Sequence, residues 1–336
     1  MQRGPLACLL WPISLLFRAL VGLRRVCYLT GLLKSARLPV PVIVVGNLFV
    51  GGTGKTPFVI WLVESLRNAG YRPGAVSRGY GVNKISIGHV TADSRPQDVG
   101  DEPVLIAQRA RCPVVTGRDR VAAAKALLAA YPDVNVIVAD DGLQHYALAR
   151  SLEIVLFDAR GLGNGWMLPA GPLREPRSRR RNFTVVNAPQ DPAGMPRDSI
   201  RMELVGVVAE RLSDRSQRAT LSSIAAAAIS RFGKSDADRI VAVAGIGNPS
   251  RFFSMLRDAG LIFQEMPLRD HYDFSPNPFA DVEAETILIT EKDAVKCAQI
   301  DVIRQDPRLW VVPVTAQIDA ALVEQILEKL RGRPTA

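Results

Sequence analysis

The chain has 336 residues, 48% of them hydrophobic and 22% charged, and a formal net charge of +9. This length suggests two domains of ordinary globular composition, and the positive excess favours an anionic partner such as nucleic acid, an anionic membrane or a phosphorylated substrate. The four cysteines, Cys8, Cys27, Cys112 and Cys297, are far apart with no Cys-x-x-Cys spacing, which argues against a disulfide framework or zinc site and fits a reducing compartment.

Residues 4–17 carry no charge, and Arg18, Arg24 and Arg25 then enter a stretch that stays apolar to Leu33. The uncharged run is shorter than the roughly 18 residues of a plain transmembrane helix. Only Arg3 precedes it and no small-x-small cleavage pattern follows, which disfavours a signal peptide. The composition predicts an interfacial or partly inserted helix. Leu10, Trp11, Leu15, Leu16 and Phe17 form its apolar mass, with arginines at headgroup level. Pro12 is expected to kink or start it. A core helix at a domain edge is the alternative.

From residue 40 onward short apolar runs alternate with helical patterns, which predicts a parallel α/β sheet. Residues 41–46 read as a strand and 56–68 as a helix, with Pro57 in its first turn and Gly70 past its end. Between them lies Gly51-Gly52-Thr53-Gly54-Lys55-Thr56. This is a phosphate-binding loop: backbone N–H groups surround a polyphosphate, Lys55 reaches the β/γ-phosphates and Thr56 ligates Mg²⁺. The usual Gly-x4-Gly-Lys spacing would place a glycine at Phe49, so Gly51 and Gly52 are expected to supply the tight backbone.

A strand at 75–77 leads into Ser77-Arg78-Gly79-Tyr80-Gly81. Gly100-Asp101-Glu102-Pro103 puts two carboxylates where a helix begins. They suit either the helix dipole or an acceptor hydroxyl. Helices are predicted at 102–109 and 119–130, with 113–116 extended between them. The apolar strand 134–139 runs straight into Asp140-Asp141, the form of a second Mg²⁺ carboxylate. Gln144 follows, able to orient a phosphate or the metal's water. Strands are also predicted at 153–157 and 183–187. Residues 160–182 between them are rich in Gly, Pro and Arg and read as a functional or disordered loop. Arg78, Arg118, Arg120 and Arg174 are candidates to neutralise charge on a transferred phosphoryl group. Few aromatics interleave the basic run 174–181, so nucleic acid is disfavoured as a partner.

A plausible strand at 201–208 and an alanine-rich stretch at 220–229 precede a second α/β set. It has strands at 239–244, 286–290 and 310–314 and helices at 250–259 and 320–330. Gly245-Ile246-Gly247 lacks a third glycine and a Lys-Thr, so it reads as a strand-to-helix turn. His271, one of three histidines, sits among acids in Asp270-His271-Tyr272-Asp273 and by itself reads as structural. Thr290-Glu291-Lys292-Asp293 has capping-box spacing, with Asp in place of the usual Glu or Gln, so its charges are expected to be structural.

Taken together, the segments 45–57, 77–81, 100–103, 140–145, 163–175, 270–274 and 290–296 resemble one family, the tetraacyldisaccharide 4'-kinases (lipid A 4'-kinases) of Gram-negative bacteria. That family's loop also lacks the first glycine. The resemblance implies an α/β fold: a P-loop NTPase-like parallel sheet flanked by helices, a second smaller α/β lobe and an N-terminal membrane-associated helix. The expected division is 1–35 for that helix, 36–190 for the kinase domain and 191–336 for the second lobe. It implies ATP- and Mg²⁺-dependent phosphorylation of the 4'-hydroxyl of a tetraacylated glucosamine disaccharide 1-phosphate, giving lipid IVA, at the cytoplasmic face of the inner membrane. A lipid substrate and a membrane surface are the expected partners, with no nucleic acid and no obligate protein partner. Carried over by motif, Asp101 is the catalytic base and His271 its partner. Lys55 and Thr56 keep their loop roles, and Arg120 stabilises phosphate. Asp140, Asp141, Gln144 and Glu175 are metal ligands or their immediate supports. Two competing functions are a membrane-associated P-loop switch or partitioning ATPase, which often has a lysine where this chain has Val50, and a cytosolic small-molecule kinase or ligase with an incidental apolar leader.

Overall fold

A computed structural model describes residues 3–79, 87–232 and 239–332, so Tyr80 and Gly81 of the 77–81 motif lie outside the described residues. In chain order the first series is α1 (Pro5–Leu29), β1 (Val42–Asn47), α2 (Lys55–Asn68), β2 (Pro73–Ser77), β3 (Gly88–Val90), α3 (Pro96–Val99), α4 (Asp101–Ala110), β4 (Val114–Thr116), α5 (Arg120–Ala130), β5 (Val136–Asp140), β6 (Leu152–Asp158), β7 (Phe183–Asn187) and β8 (Ile200–Val205). The second is β9 (Val208–Arg211), β10 (Arg218–Thr220), α6 (Leu221–Phe232), β11 (Ile240–Ala244), α7 (Pro249–Asp258), β12 (Gln264–Pro267), β13 (Thr286–Thr290), α8 (Glu291–Cys297), α9 (Asp301–Arg304) and β14 (Leu309–Val312). The chain then closes with β15 (Thr315–Ile318) and α10 (Ala321–Arg331).

Among the described residues the first series together with β15 builds a nine-stranded sheet in the order β15-β8-β7-β6-β1-β5-β2-β4-β3. Only its two edge pairings are antiparallel. The β-branched run Val42-Ile43-Val44-Val45 explains the placement of β1: it is buried along its whole length, as a central parallel strand with both faces covered must be. Ile43 and Val45 face a core that includes Phe58, Leu62 and Leu66 of α2, Val104 of α4 and Ile326 of α10. Val42 and Val44 face the opposite core, with Ala123 and Leu127 of α5 and, at its margin, Phe17 and Val21 of α1. A smaller sheet has the order β10-β9-β14-β13-β11-β12.

The division between sheets departs from the boundary expected at 190/191. The strand expected at 201–208 is two strands: β8 extends the large sheet beside β7, while β9 begins the small one beside β14. The chain returns the same way, since β14 belongs to the small sheet and β15 pairs with β8. Gly206-Val207 and Pro313-Val314 are therefore the two crossings between lobes. The small sheet is thus inserted between β8 and β15, and β15 and α10 complete the large lobe.

The amino-terminal segment is one helix of 25 residues that begins at Pro5, so Pro12 lies inside it rather than starting it. It is long and apolar enough to cross a membrane by length and composition, and 6% of its most apolar window is buried. One side docks on the large lobe: Ser14 Oγ donates to the Met167 carbonyl at 2.7 Å, Trp11 packs on Trp166, and Tyr28 stacks on Tyr146 at 5.7 Å. Leu6, Leu9, Leu16, Leu20 and Leu23 are exposed on it. The loop 160–182 is thus ordered by two neighbours, α1 on one side and the strand extension Leu48–Val50 on the other, through Val50 N–H to Pro172 O and Arg174 N–H to Leu48 O.

Leu127 of α5 is fully buried against Gly74 of β2. Leu127→Ala should lower stability by about 2–5 kcal/mol, because it removes apolar contact and leaves a cavity the sheet cannot close. Chemical denaturation followed by circular dichroism measures this.

Candidate active site

The site lies at the carboxyl ends of adjacent parallel strands, where open α/β sheets bind ligands. β1 delivers the glycine-rich loop, and its neighbour β5 ends at Asp140, paired in register with Val45. Phe49 cannot be the loop's first glycine, because its ring is core: it is 2% exposed and carries the Arg160 guanidinium at 4.2 Å. Asn47 does the local work instead, its amide donating to the carbonyls of Phe49 (2.6 Å) and Gly51 (3.0 Å). The Asn47 side-chain oxygen accepts from Lys55 Nζ at 3.0 Å. Gly54 has φ 91° at the N-cap of α2, and a Cβ there would lie 2.5 Å from Asn187 Nδ2, so both conformation and space require glycine. No side chain caps α2. Its first N–H groups are left for an anion.

The two acids after β5 have different fates. Asp141, at φ 48°, is held by Arg174 through two nitrogens at 3.0 and 2.8 Å, with Lys55 Nζ at 3.8 Å. Burial opposes its charge, but Lys55, Arg174 and Arg120 overcome it and keep the acid far below the usual carboxylate range. Asp140 is 1% exposed, and its Oδ1 is buried without a partner. Burial, reinforced by the nearby Glu102 charge, pushes it up to about 7. A buried carboxylate oxygen with no donor, beside a phosphate-binding loop, fits a cation coming in with a nucleotide. Thr56 lines the same cleft.

The second lobe closes the cleft from the other side. The turn after β11 lies against the loop so tightly that a Cβ at Gly247 would be 2.7 Å from the Gly52 nitrogen. The sequence reading of residues 245–247 as a strand-to-helix turn is correct, and the turn is also a wall of the cleft together with Arg251. His271, at φ 59°, is anchored by its N–H to Gly245 O, and its Nδ1 is 3.0 Å from Asp101 Oδ2. Asp101, in the first turn of α4, is 3% exposed. Its Oδ1 accepts the Glu102 N–H at 3.0 Å, and its Oδ2 also meets Lys296 Nζ at 3.1 Å. Burial raises this acid, yet the His271 hydrogen bond and the charges of Lys292 and Lys296 outweigh it and hold it well below its ordinary value. His271 lines the cleft, with Nε2 3.4 Å from Lys292 Nζ and 3.9 Å from Asp270 Oδ1.

The charges of 290–293 are therefore not only structural. Thr290 does cap α8, accepting from Asp293 N–H, and Asp293 also accepts from Gly245 N–H at 2.9 Å. Lys292 and Lys296, four apart on one helical face, instead point their ammoniums at Glu102 (3.2 Å) and Asp101. Burial works against Lys292, but Glu102, Asp101 and Asp270 hold its pKa above the usual lysine range. The even spacing of the two lysines was the available sequence signal.

Among the described residues four expected catalytic or metal-site residues sit outside the cleft lining: Asp101, behind its hydrogen bond to His271, and Arg120, Gln144 and Glu175. Arg120 is buried beneath the Asp141 turn, donating to the carbonyls of Gly117, Arg118 and Asp141, and burial lowers its pKa. Gln144 lies beyond the turn, its Nε2 buried without a partner. Glu175 is 1% exposed and saturated by Tyr146 Oη (2.9 Å) and Arg179 (3.1 Å). Alternation along the loop explains the split: Arg174 faces Asp141, and Glu175 faces the other way.

Residues 6–331 match the family model described as Tetraacyldisaccharide-1-P 4'-kinase. The Tetraacyldisaccharide 4'-kinase of Janthinobacterium sp. (strain Marseille) is 64% identical over 335 residues, covering 100% of this chain and 95% of that protein. The protein of the same name from Herminiimonas arsenicoxydans is 59% identical over 339 residues, with the same coverage. Among solved structures, "apo" form LpxK from Aquifex aeolicus in complex with ATP superposes with a TM-score of 0.74 at 29% identity, over 97% of this chain and 99% of that one. A match of this extent, on a chain whose two lobes meet over a phosphate-binding loop, leaves one conclusion: the chain belongs to the tetraacyldisaccharide-1-P 4'-kinase family and is a kinase.

Proposed function

We propose that this chain transfers the γ-phosphoryl group of ATP to the 4'-hydroxyl of a tetraacylated glucosamine disaccharide 1-phosphate, giving lipid IVA, at the cytoplasmic face of the inner membrane. One observation carries the reading: a single cleft brings the Lys55 loop of one lobe against the His271–Asp101 pair shared between lobes. A switch or partitioning ATPase needs no such pair beside its loop.

The amides of residues 51–56, the α2 N-terminus and Lys55 hold the triphosphate. Asp140 and Thr56 are the residues that would hold Mg²⁺, while Asp141 is committed to Arg174. When bound, that ion neutralises charge on the transferring phosphoryl oxygens. The acceptor proton leaves through the His271–Asp101 pair acting as one unit. Nδ1–H donates to the ionised Asp101, and Nε2, here 3.4 Å from Lys292 Nζ, takes the 4'-hydroxyl proton once the acceptor displaces that lysine. Asp101 then stabilises the imidazolium. This order differs from the expectation that Asp101 is the base: its Oδ1 accepts the Glu102 N–H and its Oδ2 meets His271 and Lys296, while His271 lines the cleft.

The exposed leucines of α1 supply the membrane contact, and the arginines along it suit an anionic leaflet. An acylated substrate would then enter the cleft from the surface on which the enzyme sits.

Incubating the protein with labelled ATP, Mg²⁺ and the tetraacyl disaccharide 1-phosphate in detergent should give a labelled bisphosphorylated lipid; its absence would sink the proposal. In that assay Asp101→Asn and His271→Asn should each lower kcat by about 10²–10⁴-fold, while ATP affinity by calorimetry stays within about twofold. Asp101 keeps its charge at neutral pH. The stability it contributes is present above the ordinary carboxylate pKa and is lost only as pH falls through its depressed value, so a fall in kcat between about pH 8 and 5 belongs to other groups. Replacing Leu9, Leu16 and Leu23 together by Ser should cut sedimentation with anionic vesicles by at least about tenfold, since each lost side chain forfeits on the order of 1 kcal/mol or more of apolar burial. ATP binding should be unaltered.

A further inference from the structure

The pair that removes the proton is split between lobes, so something must fix the register of the element bearing Asp101 against the element bearing its partners. We propose that Arg109 and Glu291 are positioning residues for this reaction: their part-buried cross-lobe ion pair sets the register of α4 against α8 and thereby the Asp101–His271 hydrogen bond. This rests on the reading of that pair as the proton acceptor.

α4 and α8 pack side by side and antiparallel. Asp101 meets Lys296 at one end, Glu102 meets Lys292 in between, and Arg109 meets Glu291 at the other end. The first contact holds the dyad carboxylate, the second lines the cleft, and of the third pair Glu291 reaches the cleft lining while Arg109 does not. The third does not touch the dyad: Arg109 is eight residues from Asp101, about 12 Å along the helix. One guanidinium nitrogen lies 2.7 Å from both Glu291 oxygens, and the Glu291 side chain is 7% exposed. Arg109 stands in the last turn of α4 and Glu291 in the first turn of α8, so each charge also suits its own helix end.

Burying the Glu291 charge against a part-exposed guanidinium adds little stability by itself, because desolvation offsets most of the attraction. Specifying a register is the better-attested use of such a pair. Here register has a consequence. α4 is a rigid ten-residue rod, so sliding at Arg109 is transmitted to Asp101. A shift of about 1 Å would break a 3.0 Å hydrogen bond made to the other lobe. Arg109 also lines the groove beneath the two chain crossings, with Glu210 and Val208 of β9, so the contact sits where lobe movement would pivot.

The test uses the full chain carrying Glu291→Gln or Arg109→Lys. Each should lower kcat at least about tenfold with KM for ATP within about twofold. The readout that a merely structural role would not move is the low-field Nδ1–H resonance of His271 in imidazole-labelled protein. Only three histidines are present, and His271→Asn assigns the signal. It should shift or vanish in both variants, without substrate present. Unchanged kcat and an unchanged resonance in either folded variant would overturn the proposal, even with a lowered Tm. If Glu291→Gln does not fold, Arg109→Lys decides, since it keeps the charge. Because the resonance is read without lipid, a wild-type protein that makes no bisphosphorylated lipid would refute the function and leave this measurement standing.

Discussion

A carboxylate with almost no access to water stands at the first turn of α4, and most of the site depends on how its charge is held. Asp101 draws one contact from its own helix and the others from His271 and Lys296 of the inserted lobe. Parting the lobes would remove the His271 and Lys296 contacts that hold its charge. Docking of the lobes and assembly of the Asp101–His271 pair are therefore one event. Of the four non-glycine residues with positive φ among the described residues, Asp141 and His271 line this cleft, one from each lobe.

The phosphate-binding loop is adapted to this arrangement. A glycine at residue 49 would leave the loop base without its core anchor; Phe49 fills that space, and Asn47 collects the loop carbonyls and Lys55. Arg174 reaches in from the long loop to neutralise Asp141 and touch the Asn47 carbonyl. That loop is also the platform for α1, so the exposed apolar helix and the segment bordering Asp140 and Asp141 share one support. The second lobe answers from above with Gly247 against Gly52 and Arg251 beside Asp158.

Local chemistry was legible in the residues, and long-range placement was not. The strand–loop–helix at 42–68 could be read because β-branched residues, glycines and Lys-Thr each have one local consequence. The Asp140-Asp141 turn could be read as a site, but which acid was free could not, because Arg174 arrives from 33 residues away. His271 looked structural in isolation, since its partner lies 170 residues upstream; only the family resemblance joined them. The apparent strand at 201–208 could not be divided by periodicity, because the two halves differ in which sheet they join rather than in composition. Glu175 looked like a metal-site acid by motif, and only packing shows its saturation by Tyr146 and Arg179.

The central claim is that residues from two lobes form one catalytic unit, and a double-variant cycle on kcat tests it most directly. If Asp101 and His271 act together, Asp101→Asn, His271→Asn and the double variant should show losses of similar size, with the double no more than about threefold below the worse single. Losses that multiply in the double variant would show two independent contributions and contradict the account.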